Sequence, residues 1–270
     1  MNTPQNDNPT SSDSPRKETN LVSRSGFLAR RTRELAQQVR DLNLADGLEV
    51  VFPDKNLEAA VREALEKPEG PLTRGDLKRL DDELAADKAG IENLFGLDHA
   101  INLTKLTLAN NQISDLSPLA SLTNLTLLRL SSNQISDISP LVSLTDLGYL
   151  DLNNNQISDV SPLASLTNLT LLRLNSNQIS DISPLVSLTN LTGLRLNSNQ
   201  ISDLSPLASL TNLAELKLNF NQISDISPLA SLIASNLKVF LDSNPLNQKS
   251  IDVHLPDLRA RGLDVDFADR

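Results

Sequence analysis

The chain has 270 residues, no cysteine and a formal net charge of −10. That excludes thiolate catalysis, cysteine-built zinc sites and disulfide-stapled caps, argues against general nucleic-acid binding, and leaves room for one elongated domain with caps. No apolar run approaches the roughly 18–20 residues of a membrane span, and the first twenty residues, MNTPQNDNPTSSDSPRKETN, lack the apolar core of a secretory signal, so a cytoplasmic protein without integral membrane association is expected.

Charge is unevenly spread. Residues 1–47 hold seven Lys/Arg and six Asp/Glu, and residues 48–270 hold 17 and 28, so the head is near neutral and the remainder is acidic. Residues 1–24 are mostly Asn, Ser, Thr, Pro and Asp, with little to bury, and a disordered head is predicted. From Ser25 the pattern changes to SGFLARRTRELAQQVRDLNL. Leu28, Leu35, Val39 and Leu42 fall at near-heptad spacing with arginines between them, which predicts an amphipathic helix and linker over 25–47. Packing on a neighbouring cap explains such a helix as simply as a partner or a membrane surface does.

Residues 48–80 read as two short helices. Asp54 is placed to cap the first, in which Leu57, Val61 and Leu65 recur at helical spacing, and the stretch Pro68 to Pro71 ends it. Thr73 and Asp76 have the spacing of a capping box opening the second, with Leu77 and Leu80 as its apolar residues.

Beyond residue 81 the chain repeats itself. Asn-Gln-Ile-Ser-Asp begins at Asn111, Asn133, Asn155, Asn177, Asn199 and Asn221, always 22 residues apart, and a looser copy, Asp242-Ser243-Asn244-Pro245-Leu246, follows. A fixed period of this length is the mark of a solenoid. Stepping back one period aligns Leu84 with Leu106 and Ile91 with Ile113, so a degenerate turn with Ala89 in the asparagine position opens the array. Each copy fits L-x-x-L-x-L-x-x-N-x-I/L. The motif resembles the leucine-rich repeat family, and N-Q-I-S-D-(I/L/V)-S-P-L is similar to the short bacterial type found in internalins. The same spacing occurs in the leucine-rich regulator of type-1 protein phosphatase.

That resemblance implies an α/β solenoid with a parallel sheet on the concave face. It also implies a helical N-terminal cap over 48–80, repeats over 81–246 and a helix–strand C-terminal cap over 247–270. In each turn the first, fourth and sixth residues, for example Leu125, Leu128 and Leu130, are predicted to point inward, because strand side chains alternate. The asparagine column is predicted to satisfy backbone groups between turns. Asp-(Ile/Leu/Val)-Ser-Pro-Leu is too short and proline-rich for an α-helix and predicts 3₁₀ turns. The aspartates Asp115, Asp137, Asp159, Asp181, Asp203 and Asp225 form a column that suggests turn capping far more than calcium binding. Near the end, SLIASNLKVFLDSN carries one extra residue, and Ile251–Gly262 reads as a cap helix before a final strand over 263–267.

No catalytic constellation is visible. His99 and His254 lie at opposite ends of the array, no glycine-rich phosphate loop is present, and the serines sit at repeated turn positions. Neither enzymatic activity nor a cofactor is expected. Asn-Leu-Thr triplets at Asn102, Asn124, Asn168 and Asn190 match a glycosylation pattern but arise from the repeat. What varies between turns is the pair of strand positions predicted to face outward. The third reads Lys105, Leu127, Tyr149, Leu171, Gly193, Glu215, and the fifth Thr107, Arg129, Asp151, Arg173, Arg195, Lys217; at the eighth, Phe220 departs from Asn and Ser.

Leu127, Tyr149 and Leu171 are expected to form an exposed apolar stripe flanked by Arg129, Arg173, Arg195 and Lys217 and interrupted by Asp151. Tyr and Arg are frequent interface anchors, and exposed apolar clusters mark binding sites. The expectation is a monomeric, non-catalytic module that binds a protein partner through this face. Two alternatives come from the resemblance: a regulatory subunit docking on an enzyme such as a phosphatase, and an exported, surface-exposed adhesin of internalin type.

Overall fold

A computed structural model describes residues 18–232 and 237–268. The predicted disorder of the first residues and the inserted residue near 234 fall largely outside these. The chain divides into two units, Met1–Leu48 and Glu49–Arg270.

The first unit contains helix α1, Glu18–Asp46. It begins seven residues before the composition boundary at Ser25, because Glu18 to Arg24 contains no proline or glycine and can continue the helical run that follows. Gln37 donates to Asp41 at 2.9 Å, an i,i+4 contact across one turn.

In the second unit, Val50 and Phe52 are buried ahead of α2 (Lys55–Ala64), whose Leu57 and Val61 face the core. Asp54 caps α2, accepting the Asn56 and Leu57 N–H groups. Its other oxygen accepts the Glu92 and Asn93 N–H groups at 2.7 and 3.1 Å, tying the cap to the first turn of the solenoid. Partial burial pushes the Asp54 carboxyl up, and these four N–H donors outweigh it, so its pKa lies below the ordinary value. α3 (Arg74–Leu77) opens on a complete Thr73–Asp76 capping box.

Nine three-residue strands follow, each in register with the next in one parallel sheet, in sequence order from β1 (Glu83–Ala85) through β2 (Lys105–Thr107), β3 (Leu127–Arg129), β4 (Tyr149–Asp151), β5 (Leu171–Arg173), β6 (Gly193–Arg195), β7 (Glu215–Lys217) and β8 (Lys238–Phe240) to β9 (Asp264–Asp266). Leu84 pairs with Leu106, so the degenerate turn is a true member of the stack. The step from β7 to β8 pairs Lys217 with Phe240, which absorbs the extra residue without disturbing register. At the far end a π turn, Ser250–His254, runs into α4 (Leu255–Ala260), so the predicted cap helix is built from two pieces. β9 then closes the sheet.

The inward residues form one continuous apolar core from Val50 to Val265. Leu125, Leu128 and Leu130 are fully buried, as are their equivalents in the neighbouring turns. Strands are joined by 3₁₀ turns such as Ser139–Ser143 and Ser161–Ser165, with Pro as the second residue. Each aspartate of the column sits one residue before the 3₁₀ cap position. Asp137 accepts the Ser139 N–H at 2.8 Å and its hydroxyl at 3.1 Å, and Asp115, Asp159, Asp181, Asp203 and Asp225 repeat the arrangement.

The fold is that of a leucine-rich repeat solenoid.

Candidate functional site

Two asparagine ladders hold the sheet's edge in shape, and only one was legible as such. In the inner ladder, Asn177 accepts the Ile157 N–H at 3.0 Å and donates to the carbonyls of Leu152 and Leu174 at 3.0 and 3.1 Å. Asn111, Asn133, Asn155, Asn199, Asn221 and Asn244 repeat this pattern, all buried. The outer ladder runs through the seventh position, where the side-chain oxygens of Asn153, Asn175, Asn197 and Asn219 accept the N–H of the equivalent residue one turn on, at 2.7–2.9 Å. Asp87 and Asp242 serve the same purpose at the two ends, which fits a role that needs only the acceptor oxygen. The sequence signal for this ladder is four asparagines at the seventh position of four consecutive turns. The asparagines of the Asn-Leu-Thr triplets form a third column. Asn124, Asn168 and Asn190 donate at 2.9 Å to the carbonyls of Ile101, Thr145 and Thr167 in the preceding turn, and Asn102 donates to Lys78.

The strand registers place the predicted site residues side by side. Leu127, Tyr149, Leu171 and Gly193 are adjacent in one row, and Arg129, Asp151, Arg173, Arg195 and Lys217 in the next. Leu127, Tyr149 and Leu171 are half-buried rather than fully exposed. Leu171 leans toward β6, where a Cβ on Gly193 would stand 2.5 Å from its Cδ1. Gly193 thus gives the leucine space to lie flat, and the two form a low apolar step beside Tyr149.

Asp151 departs from the expectation of an exposed interruption, being 4% exposed. Arg173 covers it, with a guanidinium nitrogen 3.6 Å from the carboxylate and the guanidinium carbon 5.3 Å from the centre of the Tyr149 ring. The Tyr149 hydroxyl stands 3.5 Å from the same carboxylate oxygen, Oδ2, and the Asn153 N–H donates to Oδ1 at 3.1 Å. Burial and the Asp151 charge push the Tyr149 phenol up, against the opposing pull of Arg173 and Arg129. The buried Nε of Arg173 has no partner. Arg129, across β3, is exposed.

Further along, Glu215 takes the Arg195 Nε at 2.7 Å and the Lys217 amine at 3.7 Å, while Lys217 also lies 5.0 Å over the Phe240 ring. Arg195 and Lys217 are therefore partly neutralised by a residue of the same face. Phe220 belongs neither to the strand nor to its outward row. It stands in the left-handed turn after β7, at φ 59, where the other regular turns have Asn or Ser and the degenerate turn has Lys88, and is 59% exposed. The turn requires positive φ, a conformation that a bulky residue such as Phe adopts only at a cost.

Among the described residues no group of acidic or histidine side chains is arranged to hold a metal ion, and no helix is long and apolar enough to cross a membrane. Hollows of about 340 and 360 Å³ lie at the two caps, one against Leu246 and Phe267 and the other between α2 and β1.

A family model for leucine-rich repeats matches residues 101–143, 123–165, 145–187, 167–209 and 189–231 in overlapping windows. Among solved structures, the chain is similar to an internalin, InlF, from Listeria monocytogenes, at 36% identity over 82% of this chain and 67% of that one, with a TM-score of 0.74. It is similar to internalin C2 of the same organism at 40% identity over 81% of this chain and 95% of the other, TM-score 0.71. A plant peptide hormone receptor, RGFR1, solved in complex with RGF2, shares 27% identity over 64% of this chain and 29% of its own, TM-score 0.53. No curated protein matches the sequence. Sequence motif, strand register and relatives agree: the chain belongs to the leucine-rich repeat proteins, of the bacterial internalin-like type.

Proposed function

We propose that the chain is a non-catalytic protein-binding module whose concave sheet face engages an acidic or mixed protein surface around Tyr149, Arg129 and Arg173. The observation that carries this reading is the contrast in charge. The outward rows of β2 to β8 hold the cations Lys105, Arg129, Arg173, Arg195, Lys217 and Lys238 against Asp151 and Glu215, on a unit that is otherwise strongly acidic. Tyr149 offers an aromatic face already held by Arg173 and Asp151, so little ordering is needed on binding. Repeat proteins use such extended faces for partners, and nine strands at about 4.8 Å spacing give enough width for a standard interface. Leu127, Leu171, Arg195 and Lys217 lie around that centre, and Phe220 at its edge.

The test compares pull-downs by the full chain and by a Tyr149→Ala/Arg129→Ala/Arg173→Ala variant, with Asp151→Asn added so that no buried carboxylate is stranded. A small set of proteins is lost by the variant while its circular dichroism stays that of the parent. Equal recovery by a folded variant overturns the proposal. The likeness to two internalins favours a second reading, an exported protein acting outside the cell. Recovery of the chain from culture supernatant supports that reading, and its confinement to the cell lysate sinks it.

A further inference from the structure

The geometry of α1 points to a second copy of this chain as its partner: we infer that two α1 helices pair antiparallel, making the protein a homodimer through a segment apart from the repeats. The helix is longer than the sequence boundary implied, and beginning at Glu18 it brings Leu21 into the series. Leucine then recurs at 21, 28, 35 and 42, a strict seven-residue repeat over the whole helix. The intervening seam positions are Ser25, Thr32 and Val39, three or four residues from each leucine. Such a repeat keeps one line of residues facing a partner along a left-handed supercoil. Leu35 and Val39, in the middle of this line, are 50% and 55% exposed.

Charge decides both the partner and its direction. Residues 18–33 carry Arg24, Arg30, Arg31 and Arg33 against Glu18, a net +3, whereas residues 34–46 carry Glu34, Asp41 and Asp46 against Arg40, a net −2. A helix with a basic first half and an acidic second half complements a copy of itself laid head to tail. The parallel alternative sets the four arginines of one helix beside those of the other. In the antiparallel pair the register sets Thr32 opposite Leu35 of the copy at its centre, with position 25 opposite 42, 39 opposite 28 and 21 opposite 46. The pairing also stabilises α1 itself, since an isolated helix draws little support from propensity alone. It replaces the monomer expected from the repeats.

The absence of native cysteine makes the test clean. Sedimentation of the full chain across a dilution series gives about twice the 29.4 kDa chain mass at the upper end, and Leu35→Asp returns it to the chain mass with the sheet's circular dichroism unchanged. A monomer throughout, or a dimer indifferent to Leu35→Asp, overturns the inference. Direction is read by oxidation. Ser25→Cys mixed with Leu42→Cys yields the mixed disulfide, while Ser25→Cys alone stays reduced. Rapid self-linking of Ser25→Cys means parallel pairing and overturns it as well.

Discussion

The inner and outer rows of the same sheet are built from residues only one or two positions apart, yet they obey different rules. Inside, Leu128, Leu150 and Leu172 are interchangeable, and each neighbouring asparagine makes the same set of bonds to its own turn and the one before it. Outside, no two adjacent turns present the same pair of residues, and the bonds join particular partners, as Arg173 does with Asp151 and Arg195 with Glu215. A row shared by every turn is constrained by stacking, so its uniformity is structural information. A row free to vary is constrained by whatever meets it from outside. The concave face is therefore the place to look for specificity, and the ladders are the place to look for stability.

The sharpest test of that division is Asn177→Ala. It strands the Ile157 N–H and the carbonyls it served in the interior, and at roughly 1–3 kcal/mol for an unsatisfied buried group the loss reaches about 3 kcal/mol or more in urea unfolding. A loss under about 1 kcal/mol would mean that water replaces the amide and that the inner row is not what holds the turns together.

Acid acts on the other side of the same scaffold. Serine N–H and hydroxyl groups hold the carboxyls of Asp137, Asp181 and Asp225 below their ordinary pKa, as the Ser205 hydroxyl and then its N–H do for Asp203. Because the folded values lie below the unfolded value of about 3.9, the stability they contribute is complete above that pH and is lost as pH falls through the folded values. Thermal melting followed from pH 6 downward is thus flat at first and declines only near and below about pH 4. A decline already in progress well above the carboxylate range would point to other groups.

Asn175→Ala probes the outer ladder, where one half-buried N–H, that of Asn197, loses its acceptor at 2.9 Å. The expected cost is about 1 kcal/mol, clearly less than at Asn177. Equal costs at the two sites would erase the distinction between the ladders. The smallest effect has the opposite sign. Phe220→Asn relieves a bulky side chain at φ 59 and raises stability by about 0.5–1 kcal/mol while reducing partner retention if Phe220 touches the partner. A stabilised variant with undiminished retention removes Phe220 from the interface.

The repeat was readable in the sequence because its causes are local. Leucine and asparagine spacing, Ser-Asp before Ser-Pro, Asp54 ahead of α2 and the Thr73–Asp76 pair each specify a hydrogen bond or a buried face within a few residues. The outer ladder was harder. Asn153 and its equivalents bond a residue 22 positions away, and their side chains leave no trace of that in the local pattern. Asp151 was harder still. Its burial depends on Tyr149 in its own strand and Arg173 in the next folding over it together, and an aspartate flanked by arginines reads equally well as an exposed break in a basic strip.

The sequence by itself determined the period, the inward leucines and the inner asparagine column, because a repeated chain must bury the same residues in every turn. Only the tertiary structure decided which outward residues are presented and which are covered. It set Asp151 beneath Arg173, laid Leu171 over Gly193 and put Phe220 in the left-handed turn after β7. Exposure at those positions is set by neighbours one turn away in space and 22 residues away in the chain, a separation that strand stacking alone brings to about 4.8 Å.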